Sequence, residues 1–148
     1  MTAGSASSLL VGELELSPVV ILDARSATLA DAAVAVCQSR VHAVLLNDGS
    51  ILTDSDVTRA IARGRGPDDP ARVAATPDPL AIPARAPVGE ALAAMLRHHV
   101  RLLVVLDAEV RPIGFLGLLD ATRAVVGGGE SPSWLAGLRL ALRVERRD

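Results

Sequence analysis

Thr53 and Asp56 stand three residues apart where a short apolar run, Ile51-Leu52, gives way to a helical pattern. A hydroxyl and a carboxylate at that spacing, at a strand-to-helix junction, do one of two things. They cap the helix and satisfy its orphan N–H groups. Or they give a polar ligand an acceptor pair beside unbonded backbone donors and the positive end of the helix dipole, a setting suited to sugar hydroxyls and phosphate. Capping is the commoner use, and recurrence shifts the balance. The D-x-T-R-A element that begins at Asp56 returns at Asp120, 64 positions on, and Leu52-Thr53-Asp54-Ser55-Asp56 aligns with Leu116-Gly117-Leu118-Leu119-Asp120.

The elements that must hold these residues recur too. Leu29-Ala30-Asp31-Ala32 matches Val88-Gly89-Glu90-Ala91, and Val44-Leu45-Leu46-Asn47-Asp48 matches Leu103-Val104-Val105-Leu106-Asp107, both at a spacing of 59. The difference between 59 and 64 falls around Glu109-Val110-Arg111-Pro112, in a turn, where insertions are tolerated. The chain is therefore two copies of a unit of roughly 45 residues.

Each copy reads strand, helix, strand, strand, helix. In the first, Val19 to Leu22 is extended. Leu29, Ala32, Ala33, Val36 and Cys37 share one face of a helix over 26–39, capped by Thr28 or Ser26. A strand over 41–46, a tight turn at Asn47-Asp48-Gly49, the return Ile51-Leu52 and a helix over 54–63 complete it. The second copy repeats the order with Leu80 to Ile82, a helix marked by Val88, Ala91, Leu92, Met95 and Leu96, an apolar strand over 101–106, Ile113 to Leu116, and a helix over 119–126. This places the first repeat at 18–64, a polar linker at 65–79 and the second repeat at 80–127. An N-terminal segment covers 1–17 and a C-terminal extension 128–148. Residues 1–8 are expected to be disordered, and Leu10 to Leu16 alternate loosely as a weak strand. In the extension, Trp134 is expected to anchor the tail. Alternation from Leu138 favours a strand over a helix, with Arg139 and Arg143 facing Glu13 and Glu15.

Half of the 148 residues are hydrophobic, enough for one compact domain or two small fused ones. A net charge of −2 gives no electrostatic case for nucleic acid, and two aromatic residues, Phe115 and Trp134, give no base-stacking surface. Every basic residue other than histidine is Arg, a composition that points to a high-GC bacterial source. The lone Cys37 has no internal disulfide partner and reads as a buried thiol. No leader and no apolar run of membrane-spanning length is recognisable, so a cytoplasmic protein without a membrane partner is expected. His98 and His99 are adjacent on a helix end and point apart, a poor metal pair. Neither a catalytic triad spacing nor a phosphate-binding glycine loop is present, so no enzyme activity is expected.

The ordered set of motifs, occurring twice, resembles a pair of CBS domains, the tandem arrangement called a Bateman module. The resemblance rests on Thr28-Leu29-Ala30-Asp31-Ala32-Ala33, Ala43 to Gly49 and Ile51 to Asp56 in copy one. In copy two it rests on Pro87 to Leu92, Arg101 to Asp107 and Gly114 to Asp120. It implies an α/β fold of two β-α-β-β-α repeats related by a pseudo-twofold axis. It also implies a regulatory module that binds an adenosyl ligand (AMP, ADP, ATP or S-adenosylmethionine) between its repeats. The family signature of Gly, two apolar residues, Ser or Thr, two residues and Asp falls on Ser50, Thr53 and Asp56, and on Gly114, Gly117 and Asp120. The resemblance further implies phosphate contacts from His42 and Arg101, and adenine walls near Ile21 and Ile82. A homodimer and an unidentified effector protein are its implied partners. Two departures bear on competence: Gly117 removes a hydroxyl from the second site, and Ser50 adds bulk to the first. One competent site, in the first copy, is expected. The alternative is a ligand-free docking or dimerisation module on the same fold.

Overall fold

The structure, a computed structural model, describes residues 9–127. The expectations for residues 1–8, for Trp134 and for a strand from Leu138 pairing Arg139 and Arg143 with Glu13 and Glu15 lie outside these residues.

Two three-stranded sheets carry the two repeats. The first orders β1 (Ile21–Leu22), β2 (Ala43–Leu46) and β3 (Ile51–Thr53), with β1 parallel and β3 antiparallel to β2. The second orders β4 (Ala81–Pro83), β5 (Leu102–Leu106) and β6 (Pro112–Gly117) in the same way. Helices α1 (Leu29–Gln38) and α2 (Asp54–Ala62) serve the first sheet, and α3 (Val88–His98) and α4 (Leu118–Val126) the second. The central strands are the most apolar and the most buried, as strands covered on both faces must be. Val36, Val44, Leu46 and Leu52 form one core, and Val88, Met95, Leu103, Val105 and Leu116 another. A third joins the repeats, with Ala43, Leu45 and Ile51 from one sheet against Val104 and Phe115 from the other. Among the described residues no helix is long and apolar enough to cross a membrane.

The repeats exchange their leading segments. Residues 9–17 precede the first repeat but pack on the second. Val11 N–H donates to Ala86 C=O (2.9 Å), and Gly12 N–H to Ala84 C=O (2.8 Å). Ser17 and Phe115 trade two backbone bonds, extending the second sheet beyond β6. Val11 is fully buried in the second core, worth about 1.5–3 kcal/mol. The linker mirrors this on the first repeat: Ala71 N–H donates to Ala27 C=O (2.9 Å), and Thr76 trades two backbone bonds with Ile51.

Three local expectations are corrected. Leu10 to Leu16 is not a strand but one 3-10 turn, Val11–Glu13, between two isolated bridges, and Glu13 Oε2 turns back to accept from Leu10 N–H. The first helix begins at Leu29, not near Ser26, because Thr28 is the residue that caps it. Cys37 is exposed: the buried stripe of α1 is Leu29, Ala32 and Val36, and Cys37 lies about 100° further round a helix that is apolar on several sides.

Three carboxylates stabilise turns and caps while ionised. Asp31 is held below the usual carboxylate range by the Thr28 N–H and hydroxyl, and Asp48 by the hydroxyl and N–H of Ser50. Asp107 is lowered by the Arg111 N–H, with the Arg111 guanidinium and the Glu109 N–H adding to it. A depressed folded-state value means that the contribution is complete above the unfolded value, near 3.9, and is lost as pH falls through the lower folded one. The melting temperature is therefore expected to fall between about pH 5 and pH 2, more steeply in the parent than in Asp107→Asn. Parallel slopes in a pH series of thermal melts would contradict this.

Candidate functional site

Thr53 caps α2 and forms a closed box with Asp56. Asp56 Oδ2 accepts from the Thr53 N–H (2.9 Å) and hydroxyl (3.0 Å). Thr28 and Asp31 make a similar box on α1, so this much is helix capping. Asp56 goes further. It is 6% exposed, and its second oxygen accepts from Arg59 Nη1 (3.1 Å) and from the Thr76 hydroxyl (3.1 Å). Arg59 comes from the next turn of α2. Thr76 comes from the linker, held there by its bonds to Ile51. A cap requires neither the burial nor the second set of donors.

An open cleft of about 370 Å³ lies beside this carboxylate, between α2 and the linker. Asp56, Arg59, Arg63, Val73, Thr76 and Pro77 line it. That volume is within the ~300–1,000 Å³ of small-molecule sites. One buried carboxylate, one hydroxyl and two exposed arginine side chains suit a ligand with a diol at one end and an anion at the other.

The second copy has the same frame with different contents. Gly117 stands at the cap position of α4 and supplies no hydroxyl. A Cβ there would lie 3.2 Å from Val41 Cγ1, so a side chain of the first repeat already covers the position. Asp120 Oδ1 accepts from Arg40 Nη2 at 3.0 Å, across the repeat boundary, while Arg123 on its own helix stands at 3.9 Å. Ser17 bridges to Phe115 as Thr76 bridges to Ile51. It is 1% exposed, and among the described residues its Oγ has no hydrogen-bond partner.

The CBS-domain family profile matches residues 71–127, which span the second repeat and the end of the linker. A CBS domain protein from Pyrobaculum aerophilum, solved in complex with AMP, superposes with a TM-score of 0.71 at 28% identity, covering 80% of this chain and 95% of that one. Residues 71–127 match a CBS domain, and the chain has the fold of a tandem CBS-domain pair. The CBS domain pair of protein MJ0100, solved with 5′-methylthioadenosine and S-adenosyl-L-methionine, has the same fold, with a TM-score of 0.66 at 19% identity over 80% of this chain and 100% of that one. So does CBSX2, solved with AMP: TM-score 0.62 and 20% identity, over 79% of this chain and 96% of that one. No curated protein sequence matches.

Within this fold the sequence-predicted residues divide. Thr53 bonds Asp56, and Asp56 lines the first cleft. His42 is next to it through its backbone: its C=O accepts from Asp54 N–H at the start of α2. It is not in a strand, however, because β2 starts at Ala43 and His42 is in a left-handed turn with φ 55°. Arg101 is exposed, and its C=O accepts from Leu118 N–H at the start of α4, the helix that carries Asp120. Ile21 and Ile82 are not equivalent. Ile21 pairs with Leu45 and Ala81 pairs with Val104, so Ala81 is the counterpart of the exposed Ile21. Ile82, one register on, turns into the second core, as a one-residue slip demands. It also borders a separate apolar cleft of about 400 Å³ at the β5–β6 turn, which the D-x-T-R-A residues do not line. Ser50 does not crowd the first cleft, since its hydroxyl and N–H are both spent on Asp48 in the hairpin.

Sequence reading missed Thr76, Arg59 and Arg40. A signal for Thr76 existed: Ser17-Pro18 and Thr76-Pro77 repeat at the same spacing of 59 as the rest.

Proposed function

We propose that the chain is a non-catalytic regulatory module that binds an adenine nucleotide or adenosyl ligand in the cleft at Asp56. The observation that carries this is the buried Asp56 carboxylate, saturated by four donors and open on one side to a cleft with two arginines. Binding is an exchange. The ribose hydroxyls replace Arg59 and Thr76 on Oδ1, and the released Arg59, with Arg63, takes the phosphate. His42, whose C=O meets the start of α2, adds a further polar group to the phosphate end, and Arg101 is its counterpart in the second repeat. The AMP in the Pyrobaculum protein, at 28% identity, supports the ligand class.

Signalling follows from where the cleft lies. Thr76 belongs to the linker between repeats, so a ligand that displaces it biases the packing of one sheet on the other. Such a sensor works only through differential affinity for two arrangements, typically about 1–3 kcal/mol. Leu96 on α3 and Leu119 on α4 are 70% and 63% exposed, which supports a homodimer covering those helices. Output passes through that dimer or to an effector protein. A cytoplasmic location fits an intracellular nucleotide ligand. The docking-platform alternative draws support from the second copy, where Gly117 supplies no cap hydroxyl and Arg40 takes the Asp120 carboxylate.

AMP at about 100 times its dissociation constant is expected to stabilise the protein by roughly 2.7 kcal/mol, several degrees in Tm. Thermal unfolding with AMP, ADP, ATP and S-adenosylmethionine, each at millimolar concentration, tests this. No shift with any of the four favours the docking platform.

A further inference from the structure

We propose that Arg40 is a built-in partner of Asp120, holding that carboxylate away from Ser17 and keeping a second adenosyl site closed. This rests on the ligand class proposed for the first cleft.

The two carboxylates differ in where the cation comes from. Asp56 and Asp120 each have an arginine three residues on. In the first copy that arginine, Arg59, bonds the carboxylate at 3.1 Å. In the second, Arg123 stands back at 3.9 Å and Arg40 of the other repeat takes the oxygen at 3.0 Å. The hydroxyls differ correspondingly. Thr76 donates to Asp56, whereas Ser17, at the same bridge position, is buried with Oγ unbonded among the described residues. Buried hydroxyls are almost always bonded, so this orphan marks a displaced partner. The repeat symmetry names that partner as Asp120. Val41, next to Arg40, fills the space over Gly117 where a capping hydroxyl would stand.

Arg40 can leave. Its side chain is 52% exposed, so displacement breaks one ion pair without opening the core. Once it is gone, Asp120 gains an unoccupied oxygen for ribose hydroxyls, and Ser17 supplies the hydroxyl that Gly117 lacks. The same turn also touches the first cleft. His42, two residues after Arg40, bonds the first N–H of α2 through its C=O. A ligand that engages the start of α2 therefore acts on the turn that carries Arg40.

The test is calorimetric titration with AMP. The parent protein is expected to bind one AMP per chain and Arg40→Ala two, the second several-fold weaker than the first. Arg40→Lys, which keeps a cation, is expected to remain at one. Adding Asp120→Asn or Ser17→Ala to Arg40→Ala is expected to remove or weaken the second event alone. Two sites in the parent, or one in both the parent and Arg40→Ala, overturns the proposal and leaves the first cleft standing. Binding only in Arg40→Ala, abolished by Asp120→Asn but not by Asp56→Asn, upholds it and overturns the first-cleft reading. No binding to either protein overturns both.

Discussion

Asp56→Ala is expected to destabilise the protein by about 2–4 kcal/mol, whereas Asp120→Ala at the aligned position costs under about 1 kcal/mol. The difference follows from environment. Asp56 is 6% exposed and accepts from four donors. Its loss removes a cap worth ~1 kcal/mol and strands the Thr53 N–H and the Thr76 hydroxyl. Asp120 is on a partly open surface between two arginines that return to water when it goes, and exposed ion pairs contribute little. Urea or thermal unfolding of the two variants reads this directly, with a Tm drop of roughly 10 °C for the first. Equal effects would mean that the Asp56 network carries no special weight. Asp56→Asn separates stability from binding: it keeps an acceptor for the Thr53 N–H but cannot present two anionic oxygens. Its AMP affinity is expected to fall by roughly 10–100-fold, the value of hydrogen bonds to a charged group.

The fold was legible because its information is local and doubled. The apolar stripes of α1 and α3 and the buried runs of β2 and β5 each read alone, and each was checked by its copy. What did not read was the packing of residues 9–17 and 71–76, each on the repeat that it does not lead into. Hydrophobic pattern says that Val11 must be buried. It does not say against which of two similar cores, because a turn such as Val11–Glu13 is too short to carry a period. Cys37 failed for a related reason: on a helix with alanine on most sides, the stripe is set by what packs against it.

At the site, Thr53 and Asp56 were legible as neighbours on one helix start, since three residues fix their geometry. Thr76 is twenty residues from Asp56 and reaches it only because the linker forms a bridge with Ile51. Arg40 reaches Asp120 across eighty residues and from the other repeat. Neither spacing has a local code. The Arg59 and Arg123 match shows the limit of alignment: identical D-x-T-R-A elements give one arginine that bonds its aspartate and one that another arginine displaces.

Gly114→Ala is expected to destabilise the protein by about 2 kcal/mol or more, and Gly114→Val by more again. Glycine inside a strand ordinarily weakens it, so replacing it with alanine should help by up to ~1 kcal/mol where space allows. Here space does not allow it. A Cβ on residue 114 would lie 2.6 Å from Leu16 Cβ, 3.0 Å from Leu16 Cδ1 and 3.2 Å from the Ser17 carbonyl oxygen. Two of those atoms are held by the chain itself, and Ser17 is pinned by paired bonds to Phe115, so the segment has to lift as a unit. Lifting it exposes Val11 and breaks the bridge between Ser17 and Phe115. Faster proteolysis within residues 9–17 should therefore accompany the fall in Tm. Leu16→Gly removes both Leu16 atoms from the clash, so the double variant Leu16→Gly/Gly114→Ala is expected to cost less than the sum of its parts. Strict additivity, or a stabilised Gly114→Ala, would show that residue 114 is glycine for a reason other than the close approach of the N-terminal segment. The glycine that in the family signature opens the ligand motif then has a structural role in this copy: it admits the segment that exchanges between repeats.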